Sequence, residues 1–168
     1  MELALRPWRL SDAKALAELL NDPAVHTNLR DGLPSPYAEE DGRNFITDML
    51  AADPDKVFAF AITQDDSLVG SIGVFRQENI HRRTAEMGCY LGRKHWNRGI
   101  GTWAVRETSR RIFAQTDLLR IFAETFARNH GSCRALEKAG FQCEGVMRKH
   151  AVKNGEVLDV KLYALLRE

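Results

Sequence analysis

Hydrophobic and polar residues follow two periods along this chain, and the two periods divide it into strands and helices. Apolar positions that alternate with polar ones, or that form short runs bounded by turn residues, are typical of β-strands. The run KVFAFAIT and the run LVGSIGVFR, separated by Gln64-Asp65-Asp66-Ser67, are the clearest pair. The pattern predicts seven strands, at 2–9, 56–63, 68–76, 83–91, 119–124, 141–148 and 157–166.

Apolar residues at helical spacing lie between these strands. One predicted helix follows Ser11, a good N-cap, and a shorter helix or turn opens at Pro23. A second long helix covers 38–52, after a loop at 28–37 that is rich in glycine and proline. Two more are predicted from Gly99 to about Ala114 and over 129–139, the last ended by Gly140 as a left-handed cap.

The order of these elements predicts one domain, 1–168, with a mixed sheet. The three strands at 56–91 have short links and form an antiparallel meander, whereas strand 83–91, helix and strand 119–124 imply a parallel pair. Asn154-Gly155 is the strongest hairpin signal in the chain and joins the last two strands. We find no internal repeat or low-complexity linker.

The composition of the chain reduces the number of function classes that remain possible. A formal net charge of +1 gives no bulk support for nucleic-acid or membrane-surface binding, and no apolar run reaches membrane-spanning length. Three cysteines without CxxC spacing favour reduced thiols in a cytoplasmic protein without a signal peptide. The five histidines are scattered, so no metal site is expected.

The turn between strand 83–91 and the following helix carries the most specific chemistry. A helix start presents unpaired N–H groups and a positive dipole, and Gly99 and Gly101 let an anion approach the backbone. Arg93, Lys94 and Arg98 add positive charge. The turn lacks the Gly-Lys-Ser/Thr of a P-loop and the third small residue of a dinucleotide fingerprint. A pyrophosphate pocket and a plain tight turn are the two interpretations.

Two motifs at this separation resemble the GNAT (Gcn5-related) N-acetyltransferases. The first is Trp96-Asn97-Arg98-Gly99-Ile100-Gly101; the second is Asn129-His130-Gly131-Ser132 with Leu136-Glu137-Lys138-Ala139-Gly140-Phe141. The tail, with Asn154-Gly155, Asp159 and Tyr163-Ala164-Leu165-Leu166, resembles the RimJ/RimL-like branch, which acetylates N-termini of ribosomal proteins. The family's turn begins with Gln or Arg, where this chain has Trp96.

The resemblance implies an α+β fold with a mixed, mostly antiparallel sheet of about seven strands, helices on both faces and a splay where acetyl-CoA binds. Backbone at 89–91 would pair with the pantetheine arm, and amides at 97–102 would hold the pyrophosphate. Asn129 would contact the pantetheine or acyl end, with Ser132 near the sulfur. The implied cofactor-binding set is Cys89, Tyr90, Leu91, Trp96, Asn97, Arg98, Gly99, Ile100, Gly101, Thr102, Asn129 and Ser132.

Direct attack of an amine on the thioester needs a base, an oxyanion donor and help for the leaving thiolate. Glu86 is the candidate base; its alternative is a solvent-facing Glu, or one paired with Arg83 or Arg76. Ser132 is the candidate donor to the thiolate, or only a helix-start residue. Weaker candidates are His150 as base and Tyr163 as proton donor, while Cys89 and Cys133 fit as small core residues.

Three functions remain open. The first is acetylation of a protein or peptide N-terminus. The second is acetylation of a small amine such as a polyamine, amino sugar or amino acid. The acidic residues Asp31, Glu39 and Glu40 favour a polycation among these. The third is a CoA-binding sensor or interaction module without turnover. Pairing as a homodimer is expected from analogy with relatives.

Overall fold

A computed structural model describes all 168 residues, and seven β-strands form its framework. The strands are one connected sheet, and they follow the predicted order along the chain. Their bounds are β1 Leu3–Arg6, β2 Val57–Gln64, β3 Ser67–Arg76, β4 Thr84–Leu91, β5 Arg120–Phe126, β6 Gln142–Lys153 and β7 Glu156–Leu166.

Five α-helices connect the strands. Two of them begin where the sequence supplies a start signal: Pro23 is the first residue of α2, and the Asn129 side chain caps α5. The helices are α1 Ala13–Leu20, α2 Pro23–His26, α3 Glu39–Ala51, α4 Ile100–Gln115 and α5 His130–Lys138. None of them is long and apolar enough to cross a membrane.

Every neighbouring pair of strands is antiparallel except β4 and β5. The order across the sheet is β1-β2-β3-β4-β5-β7-β6, so β7 inserts between β5 and β6. The parallel β4–β5 pair is joined through α4, as the predicted crossover requires. The expected mixed, mostly antiparallel architecture is therefore confirmed.

The sheet splits at the middle of β4. Strand β4 pairs with β5 only from Thr84 to Glu86, although it pairs with β3 as far as Leu91. Strand β5 meanwhile pairs with β7 as far as Phe126. Beyond Glu86 the two parallel strands therefore separate, and one backbone edge of β4 has no strand beside it.

Apolar clusters cover both faces of the sheet, with helices over each. The larger cluster packs α4 and α5 against the central strands and includes Ile72, Ala85, Ile112 and Tyr163. The smaller cluster packs α1 and α3 on the opposite face, where Trp8 meets Phe45 edge to face at 5.6 Å. Alternation along β4 sends Met87 and Cys89 toward the first cluster and Tyr90 toward the second.

Two strands differ from the prediction by more than one residue in length. β1 ends at Arg6 instead of continuing to residue 9, because Pro7 has no N–H to donate to a strand partner. β6 continues five residues beyond the predicted end, to Lys153. A bulge at Lys149, which has a positive φ of 53°, breaks the alternation there.

The predicted hairpin is confirmed at Asn154-Gly155. Both residues have positive φ, 52° and 77°, as a tight hairpin turn requires. The hairpin places Lys153, buried within β6, beside the loop that follows α2, where its Nζ lies 2.9 Å from Asp31 Oδ1.

Candidate active site

The start of α4 presents a row of backbone donors. Gly99 is the N-cap residue, with a positive φ of 78°, and no side chain caps the helix. The first hydrogen bond back into the turn is from Trp103 N–H to Gly99 O, at 3.0 Å. The amides from Asn97 to Thr102 donate neither to the turn backbone nor to a side chain. Together with the helix dipole they form a site suited to an anion.

Trp96 braces this turn. Its indole Nε1–H donates to Leu91 O at 3.0 Å, across the loop that separates β4 from α4. The indole is partly exposed, so its ring also forms part of the turn's outer surface. The aromatic residue that departs from the family pattern thus has a structural role in this chain.

Cys89, Tyr90 and Leu91 lie on the part of β4 that has left β5. They pair with Ile72, Ser71 and Gly70 of β3 on one edge, so their other edge faces the split. Burial raises the pKa of the Cys89 thiol to about 12, and burial also raises the pKa of Tyr90. The Cys89 sulfur is therefore a neutral thiol at physiological pH, which argues against covalent acyl transfer.

The middle of α5 lies against the start of α4. A Cβ added to Gly101 would lie 3.7 Å from Leu91 Cδ1 and 3.8 Å from Ala135 Cβ, so the end of β4 and both helices converge there. Asn129 Oδ1 accepts a hydrogen bond from Ser132 N–H at 3.2 Å. The Asn129 oxygen is thus engaged in capping, while the half-buried Ser132 hydroxyl makes no hydrogen bond within the protein.

Glu86 occupies the point where the sheet splits. It is the last β4 residue paired with β5, opposite Phe122, and its side chain is 22% exposed. Its Oε2 lies 2.6 Å from Arg30 Nη2, and the same Arg30 nitrogen lies 3.7 Å from Glu124 Oε2 on β5. The partner of Glu86 is therefore Arg30, and neither Arg83 nor Arg76, which both pair with Asp117.

The weaker candidates lie apart from the split or are already bonded. Tyr163 is fully buried and its hydroxyl donates to Glu137 Oε1 at 2.9 Å; burial, together with that bond, raises its pKa. His150 is exposed on β6 beside the bulge. No group of three or more His, Cys, Asp or Glu side chains is placed to hold a metal ion.

A family model described as an acetyltransferase (GNAT) domain matches residues 2–142. The chain belongs to the GNAT acetyltransferase family. One GNAT relative, Probable N-acetyltransferase YjcK of Bacillus subtilis (strain 168), is 37% identical over 77% of this chain and 74% of its own length. Uncharacterized N-acetyltransferase p20 of Bacillus licheniformis is 29% identical over 98% of this chain and 93% of its own length.

Solved GNAT structures superpose over almost the whole chain. A GNAT-family acetyltransferase from Bacillus anthracis has a TM-score of 0.83 at 28% identity, covering 99% of this chain and 95% of that one. RimL, a ribosomal L7/L12 α-N-protein acetyltransferase solved with coenzyme A, has a TM-score of 0.86 at 22% identity, with 98% and 93% coverage. The likeness to RimL shows a shared fold.

This GNAT protein is thus an acyl-CoA-dependent N-acyltransferase with acetyl-CoA as its co-substrate. The residues present fit that ligand: open amides for the pyrophosphate, and a strand edge without a partner for the amide-bearing pantetheine arm.

Sequence reasoning placed Glu86 on the central strand but missed what surrounds it. Arg30 is 56 residues away along the chain, and Glu124 lies on the neighbouring strand. No local spacing connects these residues. Only the parallel register of β4 and β5 brings the two carboxylates to the same point.

Proposed function

We propose that this enzyme transfers the acetyl group of acetyl-CoA to the α-amine of a protein or peptide N-terminus, as a RimJ/RimL-like acetyltransferase. The observation that supports the proposal is an opening to solvent beside Glu86, called here the mouth of the site. The Arg30 side chain at its border is 73% exposed. Gly88, which lies on the same face of β4 as Glu86, has nothing within 4 Å of an added Cβ. An open mouth suits the end of a long chain, whereas small ligands are usually enclosed.

Two solved relatives support this acceptor class. RimL is named for acetylating ribosomal L7/L12, and a Vibrio fischeri protein is named a ribosomal-protein-S5-alanine acetyltransferase. The latter has a TM-score of 0.89 at 20% identity and covers 100% of this chain and 94% of that one. An α-amine with a pKa near ~8 also needs less help to lose its proton than a lysine near ~10.4.

In the proposed reaction the amine nitrogen attacks the thioester carbonyl carbon. The C–N bond forms and the C–S bond breaks. Glu86 accepts the proton that the nitrogen loses, through water, and a backbone N–H near Leu91 stabilises the oxyanion. The Ser132 hydroxyl donates its proton to the departing sulfur and regains one from water, while Glu86 releases the proton it accepted to water, so the protons balance between acceptor and thiol.

A small amine is the second candidate acceptor, because L-amino acid N-acetyltransferase AaaT of Escherichia coli (strain K12) is 24% identical over 99% of both chains. A polycation fits the structure less well. Asp31 is neutralised by Lys153 at 2.9 Å, and Glu39 lies 3.2 Å from Arg43, so the acidic residues near this loop are largely paired within the protein.

Release of free thiol from acetyl-CoA tests the proposal. The panel comprises peptides with a free N-terminal alanine, the same peptides with a blocked N-terminus, L-amino acids and spermidine. We expect thiol release and a mass gain of one acetyl group with the free peptides only. Release with small amines alone would contradict the acceptor class, and tight CoA binding without any release would support a sensor.

The proposal includes a cytoplasmic location, and the three cysteines, none of which forms a disulfide, are compatible with a reducing compartment. Pairing as a homodimer stays a prediction, to be checked by sedimentation.

A further inference from the structure

Arg30 occupies an unusual position for an exposed arginine. It lies in the loop after α2, yet its guanidinium reaches the sheet at the point where β4 and β5 separate. There it approaches one carboxylate from each strand, Glu86 at 2.6 Å and Glu124 at 3.7 Å. A single cation thus lies between two carboxylates at the mouth of the proposed acceptor site.

The loop around Arg30 is tied to other elements on both sides of that residue. Arg128 Nη2 donates to Thr27 O at 3.0 Å, and Lys153 Nζ donates to Asp31 Oδ1 at 2.9 Å. The Lys153 side chain is only 3% exposed, so this second contact is fixed within the hairpin. The loop is therefore held by two contacts, whereas the Arg30 side chain is 73% exposed and has room to leave the carboxylates.

An acceptor amine arrives mostly protonated, because an α-ammonium has a pKa near ~8. Two carboxylates are the groups expected to attract it, and the proposed base is one of them. The Arg30 guanidinium, which carries the same positive charge as the ammonium group, already pairs with both carboxylates. The acceptor and Arg30 therefore compete for one position, and Glu86 can take a proton only after the guanidinium has moved away.

We propose that Arg30 is a built-in competitor of the acceptor: its guanidinium occupies the position between Glu86 and Glu124 that the acceptor's ammonium group takes. This inference rests on the proposed function, and it adds that the acceptor is recruited as a cation. Glu124 is then a specificity residue that binds the ammonium, while Glu86 both binds it and accepts its proton.

The test is steady-state thiol release with an alanyl peptide, an L-amino acid and spermidine, for wild type and Arg30→Ala. We expect KM for the active acceptor to fall roughly 2- to 5-fold, the range of an exposed ion pair, with kcat unchanged or higher. Arg30→Lys should retain most of the competition. Arg110→Ala, which removes an exposed ion pair on α4, is the matched control and should not change KM.

Glu124→Gln separates this role from loop positioning. Loss of one carboxylate should raise KM for the amine severalfold while kcat changes little. If Arg30→Ala instead raises KM, Arg30 binds the acceptor, for example through a carboxylate, and the inference is wrong. It is also wrong if Arg30→Ala and Arg30→Lys both leave KM unchanged. Absence of thiol release from wild type with every acceptor would reject the proposed function itself. Titration of the alanyl peptide into the CoA-bound protein would then test the competition separately. Equal peptide affinity in wild type and Arg30→Ala would overturn the inference.

Discussion

Glu86 and Cys89 lie three positions apart on β4, and their side chains point to opposite faces of the sheet. Glu86 meets a cation and open space beside Gly88, whereas Cys89 packs against the larger apolar cluster. Burial suppresses ionisation of the Cys89 thiol. Their chemistry is thus decided by the face on which each residue lies.

The cysteines are expected to differ in reactivity. With a pKa of about 12, Cys89 has only roughly one thiolate in 10⁴ molecules at pH 8. Cys143 is exposed, so iodoacetamide at pH 8 should modify Cys143 first and leave Cys89 unmodified. Peptide mapping by mass spectrometry measures this. Rapid modification of Cys89 in the folded protein would contradict its raised thiol pKa, and Cys143→Ser serves as the control.

Removing the proposed base should lower turnover. We expect Glu86→Gln to reduce kcat by about 10²-fold at pH 7, because general-base catalysis typically contributes that much. The defect should shrink at high pH, where the acceptor amine is already neutral. The matched control is Glu78→Gln, an exposed residue paired only loosely with Lys56 at 4.0 Å. Unchanged kcat with Glu86→Gln would leave Glu86 as an ion-pair partner only.

At the scale of elements, the turn before α4 depends on one backbone conformation. Gly99 adopts a positive φ of 78°, which costs an L-residue about 1 kcal/mol or more. Trp96 then ties the turn to the end of β4 through Leu91 O. Together these features fix the turn that presents the unpaired amides of residues 97–102.

Gly99→Ala should therefore weaken CoA binding by roughly 5- to 10-fold, since about 1 kcal/mol of strain loosens the turn that presents the amides. Isothermal titration with CoA measures this directly. Gly145→Ala is the control, because Gly145 lies on the exposed strand β6 with ordinary φ and nothing within 4 Å of an added Cβ. Equal affinities for the two variants would show that the turn does not need this conformation.

The sequence predicted elements better than it predicted their ends and partners. Asn154-Gly155 carries its turn geometry in the residue types, so the hairpin could be found locally. The bulge at Lys149 could not, because its N–H is satisfied by Asp159 of the neighbouring strand, at 2.8 Å. The same holds for Glu86 and Arg30, which only the tertiary fold brings together.

At the scale of the whole molecule, one ion pair joins the first strand to the first helical segment. Arg6 Nη1 and Nη2 donate to the Asp12 carboxylate at 2.8 and 2.7 Å, and the Asp12 side chain is 8% exposed. Burial opposes ionisation of Asp12, but the bonds from Arg6 and from the Arg9 backbone N–H outweigh it. The net result is a pKa of Asp12 below its usual value of 3.8.

Because the folded state lowers this pKa, its contribution to stability is present at neutral pH and is lost as pH falls below about 4. Asp12→Asn should lower the free energy of unfolding by roughly 2–4 kcal/mol at pH 7, since Arg6 is left without its partner. The difference from wild type should narrow by pH 3. Urea unfolding at both pH values checks this, with Asp53→Asn as an exposed control. A difference that does not depend on pH would contradict the assigned origin.

The short β4–β5 contact also has a mechanical consequence. Three residue pairs join a four-strand half of the sheet (β1 to β4) to a three-strand half (β5 to β7). The hydrogen bonding across the sheet is therefore weakest where the ligand is expected to bind. A bound molecule that carries amide groups could hydrogen-bond to the free edge of β4 and so bridge the two halves. Deuterium uptake at residues 87–91 should therefore slow on addition of CoA far more than uptake along β2. The two halves of the sheet would then be connected most rigidly while CoA is bound and least rigidly between turnovers.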